Sequence, residues 1–185
     1  MSKNTLKQKY EKEIVSKLQK EFEIKNKMSV PKLEKIVINS GIGDLSKNKE
    51  GRAQMVEDIS LITGQKPSVR KARVSVAGFN LREGMSVGIK TTLRGVRMYD
   101  FYQKLVSIVL PRLRDFRGVS STSFDKNGNY SLGLKDHTVF PEVSSGRISN
   151  PRGMEVTIVT STTDNKKARK LLELLGMPFE KEEDK

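Results

Sequence analysis

Lys90, Thr92 and Arg94 stand two residues apart in the segment Met85–Arg94, whose alternate positions are Val87, Ile89, Thr91 and Leu93. A pleated strand sends successive side chains to opposite faces. One face of this segment is therefore rich in apolar groups. The other carries an ammonium, a hydroxyl and a guanidinium with no acid among them. The same alternation over Leu33–Ser40 sets Lys35, Val37 and Asn39 on one side and Ile36 and Ile38 on the other. Such donors, held on a stiff sheet, suit phosphates, 2′-hydroxyls and base edges. Read alone, either strand is as well explained by an ordinary solvated sheet face.

Catalytic chemistry finds little to work with. The chain has no cysteine and one histidine, His137. Thiolate metal sites and disulfides are excluded, and a Ser-His-Asp triad would rest wholly on His137 without a Gly-x-Ser-x-Gly elbow. His137 reads as a partly exposed loop residue. Gly41-Ile42-Gly43 follows a strand and precedes a helix, but the third glycine of a dinucleotide loop would fall at Ser46, so a tight strand-to-helix turn is expected. The adjacent acids Glu57 and Asp58 read as solvated on a helix face. Neither an enzyme nor any cofactor or metal is expected.

Charge supplies the stronger signal. From Lys66 to Arg117 there are twelve Lys and Arg against three acids, so this segment holds +9 of the chain's +13. The stretch from Gly118 to the end is neutral. A positive field concentrated in this way attracts a polyanion, most commonly RNA or DNA. The alternative is a cationic protein kept soluble by its charge. The N-terminal residues lack the apolar core of a secretory signal, and no apolar run approaches a membrane span. A cytoplasmic protein without membrane contact is expected.

Several elements must position these groups. With 185 residues, 35% of them hydrophobic, the chain can build one domain with a full core. Leu6, Tyr10, Ile14, Leu18 and Phe22 make one apolar stripe of an amphipathic helix. Strands are expected over Leu33–Ser40, Pro67–Lys71, Met85–Arg94, from Tyr130 through Leu134, and over Met154–Thr162. Helices are expected over Lys49–Thr63, with Gly64 as the C′ residue, over Val96–Val109, stopped or bent by Pro111, and over Asn165–Leu175. Asn127-Gly128 marks a hairpin turn. Phe140 to Pro151 reads as an irregular loop, and the residues from 180 to 185 as a frayed tail. The expected architecture is α+β: a single domain over 1–185, with a mostly antiparallel sheet of about five strands, helices packed on one face and the other face open for RNA.

Ala72–Gly84 is too long for a plain hairpin. It carries Arg73, Ser75, Phe79 and Arg82, and it reads as a mobile basic loop reaching a second RNA, or else as a flexible tip. Phe79 is its only aromatic residue, and no stacking motif of an RNA-recognition domain is present. Recognition through backbone and shape is therefore expected.

Longer stretches carry a resemblance. Val69–Phe79 (VRKARVSVAGF), Lys90–Gly95 (KTTLRG), Leu113–Gly118 (LRDFRG), Ser123–Tyr130 (SFDKNGNY) and Val139–Glu142 (VFPE) occur with Gly64-Gln65-Lys66-Pro67 and Asn39-Ser40-Gly41-Ile42-Gly43. Taken in their order along the chain, they resemble the family of ribosomal protein five of the bacterial large subunit, over nearly the whole chain. The resemblance implies a structural protein of the cytoplasmic ribosome that binds 5S rRNA and anchors it in the central protuberance. Carried over by motif, Asn39, Gln65, Thr92 and Arg94 would contact that RNA, with Lys90 beside them. Gln65 enters through the resemblance alone. The loop with Arg73, Ser75, Phe79 and Arg82 would reach P-site tRNA and a neighbouring helix of 23S rRNA. Other 5S-associated large-subunit proteins would be neighbours, and a surface around Lys135–Arg152 would bridge to a head protein of the small subunit. There the chain departs from the family pattern: Asp136-His137 replaces the usual Glu-Gln, and Ser144-Ser145-Gly146-Arg147 is unusual. The competing function is a general nucleic-acid packaging protein without a cognate RNA.

Overall fold

The computed structural model describes residues 6–45, 48–114, 116–143 and 151–180. The expected frayed tail beyond Glu180 and the departure at Ser144–Arg147 lie outside the described residues. Five strands, β1 (Leu33–Gly41), β2 (Ser68–Lys71), β3 (Ser86–Leu93), β4 (Tyr130–Leu134) and β5 (Met154–Thr160), form one sheet in the order β2-β3-β1-β5-β4. The sheet is antiparallel and, with the helices, makes the expected α+β fold. The helices are α1 (Leu6–Lys9), α2 (Val15–Glu21), α3 (Lys49–Thr63), α4 (Gly95–Lys104) and α5 (Asn165–Leu174). Among the described residues no helix is long and apolar enough to cross a membrane.

The chain folds as two compact units. One comprises Met1–Ile36, Arg94–Leu132 and Thr157–Lys185. Here α1 and α2 are joined by a π-helical turn at Tyr10–Ile14. A regular α-helix advances about 100° per residue, so apolar residues spaced by four drift by about 40° at each step. The wider π turn offsets part of that drift, and Ile14, Val15 and Leu18 are buried. α4 likewise runs into a π turn at Leu105–Val109 and a 3-10 turn with Pro111 near its start. Phe101, Tyr102 and Leu105 are buried, as are Ala168, Leu171 and Leu172 of α5, and the Tyr102 hydroxyl donates to the Leu172 carbonyl at 3.3 Å. The Asn-Gly hairpin forms as expected, with Gly128 at φ +71°. A Cβ there would collide with the Thr162 carbonyl oxygen, so close approach as well as conformation calls for glycine.

The other unit comprises Val37–Leu93 and Gly133–Val156. Asn48 caps α3, its side chain accepting from Gly51 N at 3.0 Å, and Gly64 ends the helix in the left-handed region at φ 65°. Met55, Ile59 and Ile62 of α3 are buried, as are Ile38, Ile89, Thr91 and Leu93 of the strands. After β1 the chain turns at Ile42, whose N–H donates to the Val87 carbonyl at 3.0 Å, into a 3-10 turn at Gly43–Leu45. Gly41-Ile42-Gly43 is thus the tight turn expected.

Two expectations fail in this unit. His137 is 1% exposed rather than a surface loop residue. It opens a short 3-10 turn, its Nδ1 accepts from Arg152 N at 3.1 Å, and its Nε2 lies 3.6 Å from Asp58 Oδ2. Asp58 in turn is buried rather than solvated, with Oδ1 accepting from Gln54 Nε2 at 3.0 Å. The reason is mutual: a buried carboxylate needs donors, and a buried imidazole with one nitrogen engaged needs a polar neighbour for the other. Glu57, one residue away on α3, is exposed as expected.

Candidate nucleic-acid interface

β3 positions the central residues. Ile89, Thr91 and Leu93 are buried, whereas Lys90 and Thr92 are partly open. On β1, Ile36, Ile38 and Ser40 are buried, Lys35 and Val37 are half-buried and Asn39 is exposed. The alternation read from the sequence therefore holds on both strands. The two open faces are one: a Cβ built on Gly88 would lie 3.8 Å from Asn39 Oδ1. Gly88, Lys90 and Thr92 share a face by alternation, so Asn39 stands on the surface that carries Lys90 and Thr92.

Gln65 joins them through the end of α3. Gly64 reverses the chain, Thr63 Oγ1 donates to the Gln65 carbonyl at 2.9 Å, and the Gln65 side chain donates to the Thr92 carbonyl at 3.2 Å. This placement depends on a helix terminus and a cross-element hydrogen bond. Periodicity carries no signal for either, which is why only the family motif pointed to Gln65. Arg94 follows β3 directly with extended backbone and an exposed side chain, and in its own unit it stands at the N-cap of α4.

Arg70 on this face escaped the sequence reading. β2 pairs with β3 in the register Ser68↔Lys90, Val69↔Ile89 and Arg70↔Gly88, with a bulge before Lys71↔Ser86. Directly opposed residues point to the same side, so Arg70 stands beside Gly88 on the Asn39 face, and it is exposed. The segment was legible as a strand, but its partner was not, and only pairing assigns a face. Among the described residues, none of Arg70, Lys90 and Arg94 makes an ion pair, so their charges remain directed to solvent.

Arg73, Ser75, Phe79 and Arg82 stand apart, on the excursion between β2 and β3. The excursion is a hydrogen-bonded structure: Ala72 N donates to Met85 O at 2.8 Å, Gly84 N to Ala72 O at 3.0 Å, and Val76 N to Leu81 O at 2.9 Å. Ser75 works inside it, its Oγ accepting from Glu83 N at 2.9 Å. A short 3-10 turn at Ala77–Phe79 leaves Phe79 83% exposed and Val74 66% exposed, with Arg73 and Arg82 also open. An apolar tip between two guanidinium groups can stack and neutralise phosphate at once.

Two family models match the sequence in succession. The one described as ribosomal protein L5 matches residues 26–82, and the one for the C-terminus of that ribosomal family matches residues 86–179. The large ribosomal subunit protein uL5 of Oceanobacillus iheyensis is 53% identical over 178 residues, which cover 96% of this chain and 99% of that protein.

Proposed function

Because the chain belongs to the ribosomal protein L5 family, we propose that its open sheet face binds 5S rRNA and anchors that RNA in the central protuberance of the large subunit. At the coarser level the chain is a structural protein of the large ribosomal subunit, at work in the cytoplasm within the ribosome, and not an enzyme. Asn39, Gln65, Lys90 and Thr92, with Arg94 one residue past the strand, are the proposed contacts. The observation that carries the reading is the open face on which Asn39, Lys90 and Thr92 meet, with Gln65 tied to the Thr92 backbone. A rigid sheet holds these donors at fixed spacing, which favours a folded RNA of fixed shape over an arbitrary polyanion.

The excursion from Arg73 to Gly84 is proposed to reach P-site tRNA and a helix of 23S rRNA, a reading supported by its exposed Phe79 and flanking arginines. Other 5S-associated proteins would then lie close by. The surface around Lys135–Arg152 is proposed as the bridge to a small-subunit head protein. Filter binding with 5S rRNA and a random duplex of equal length, each with competitor, tests the central reading. Arg94→Ala is expected to bind 5S rRNA at least tenfold more weakly with an unchanged melting temperature. Equal affinity of the native protein for the two RNAs would leave only a general packaging role.

A further inference from the structure

We propose that Gly88 is the floor of a subsite on the RNA-binding face, walled by Asn39 and Arg70, which admits the sugar–phosphate backbone of the bound RNA. The inference rests on the reading of this face as the 5S rRNA site and adds to it a position whose side chain must be absent.

Nothing in the fold calls for glycine at this position. Its φ is not among the left-handed values found at Gly64, Gly84, Gly95, Gly118, Gly128 and Gly176, so an L-residue can adopt its backbone. The neighbouring bulge therefore does not require it either. A Cβ would meet only Ser40 O at 3.5 Å and Asn39 Oδ1 at 3.8 Å, which are ordinary van der Waals separations. Gly118 contrasts with it: a Cβ there would lie 2.6 Å from the Glu180 nitrogen. Glycine inside a strand sacrifices packing and adds to the chain entropy lost on folding. Such a residue, where neither conformation nor crowding demands it, marks a place that something else approaches closely.

The neighbours indicate what that is. β3 lies between β1 and β2, and Gly88 sits between Asn39 on one and Arg70 on the other, both exposed. Gly88 itself is buried, as the base of a groove is when longer side chains rise on either side. Two interstrand spacings separate these walls by about 10 Å. A guanidinium on one side suits a phosphate, and a carboxamide on the other suits a ribose hydroxyl. Lys90 continues the line two residues on. Any side chain at position 88 would rise between the walls and hold the RNA off the strand.

Gly88→Ala and Gly88→Val, compared with Arg70→Ala and Arg94→Ala, test the idea by thermal melting, 5S rRNA filter binding and hydroxyl-radical footprinting at saturating protein. Both glycine variants are expected to melt at or slightly above the native temperature. Gly88→Val should bind at least tenfold more weakly and lose one short protected stretch of ribose while the rest of the footprint persists. Gly88→Ala should lose affinity severalfold, and it decides the matter should the valine variant fail to fold. Native affinity and footprint for the glycine variants, with Arg94→Ala impaired, would overturn the subsite and leave the sheet-face reading standing. Native binding by all four variants would overturn both. Altered base reactivity with unchanged ribose protection would overturn the assignment to the sugar–phosphate backbone.

Discussion

Thr91 and Thr92 are adjacent, chemically identical and oppositely placed. Thr91 is 2% exposed, and its hydroxyl has no hydrogen-bond partner among the described residues. Thr92 is half-open on the proposed RNA face. An unsatisfied buried hydroxyl costs about 1–3 kcal/mol. Thr91→Val is therefore expected to raise unfolding stability by about 1 kcal/mol without altering 5S rRNA affinity, whereas Thr92→Val should weaken binding and leave stability alone. Urea denaturation and filter binding on the two variants check both halves, and a reversed pattern would mean the faces are misassigned. His137 is a second residue whose environment decides its role. Buried against Asp58 and the Arg152 backbone, it acts as a packing and hydrogen-bonding residue. His137→Ala should cost roughly 2–4 kcal/mol in urea denaturation. His137→Gln, which keeps a polar group beside Asp58, should cost less.

The turn Asp125–Asn129 shows how an element can be fixed by one carboxylate. Asp125 Oδ2 accepts from Asn129 Nδ2 at 2.8 Å, and its Oδ1 accepts from Asn127 N and Asn129 N, each at 2.8 Å. The side-chain bond from Asn129 is the main cause that holds its carboxyl below the usual carboxylate range, helped by the two backbone donors. A depressed folded value means that the stabilisation is fully present above the unfolded value of roughly 4 and is lost as pH falls through the folded value. Asp125→Ala should thus melt below the native protein at pH 7, with the gap narrowing on acidification below about pH 4. A gap independent of pH would show that the charged form contributes nothing. The β2–β3 excursion makes a different prediction. Phe79 is 83% exposed, so Phe79→Ala should leave the melting temperature unchanged while reducing the proposed tRNA contact in ribosomes carrying the variant, as measured by crosslinking.

At the scale of the molecule the charge distribution would govern the proposed binding of RNA. Of the twelve basic residues from Lys66 to Arg117, only Lys90 and Lys104 are partly covered and the rest are exposed. Each phosphate neutralised releases counterions, so log affinity should fall with log salt by about 0.7–0.9 per contact. Arg70→Ala and Arg94→Ala should each reduce that slope by about one contact. A slope unchanged in both variants would place the phosphate contacts elsewhere.

Much of the fold was legible because local signals agreed. The helix expected over Lys49–Thr63 with Gly64 after it forms within those bounds, and alternation named the open residues of β1 and β3 before any pairing was known. What the chain determined by itself were features set within a few residues: element type, facing, the hairpin turn and the basic segment. What only tertiary structure decided were features that need a partner distant in sequence. Register placed Arg70 beside Gly88, the end of α3 brought Gln65 to Thr92, and packing buried His137 against Asp58. The physical reason is that periodicity reports which way a side chain points, whereas burial and site membership depend on what has folded against it.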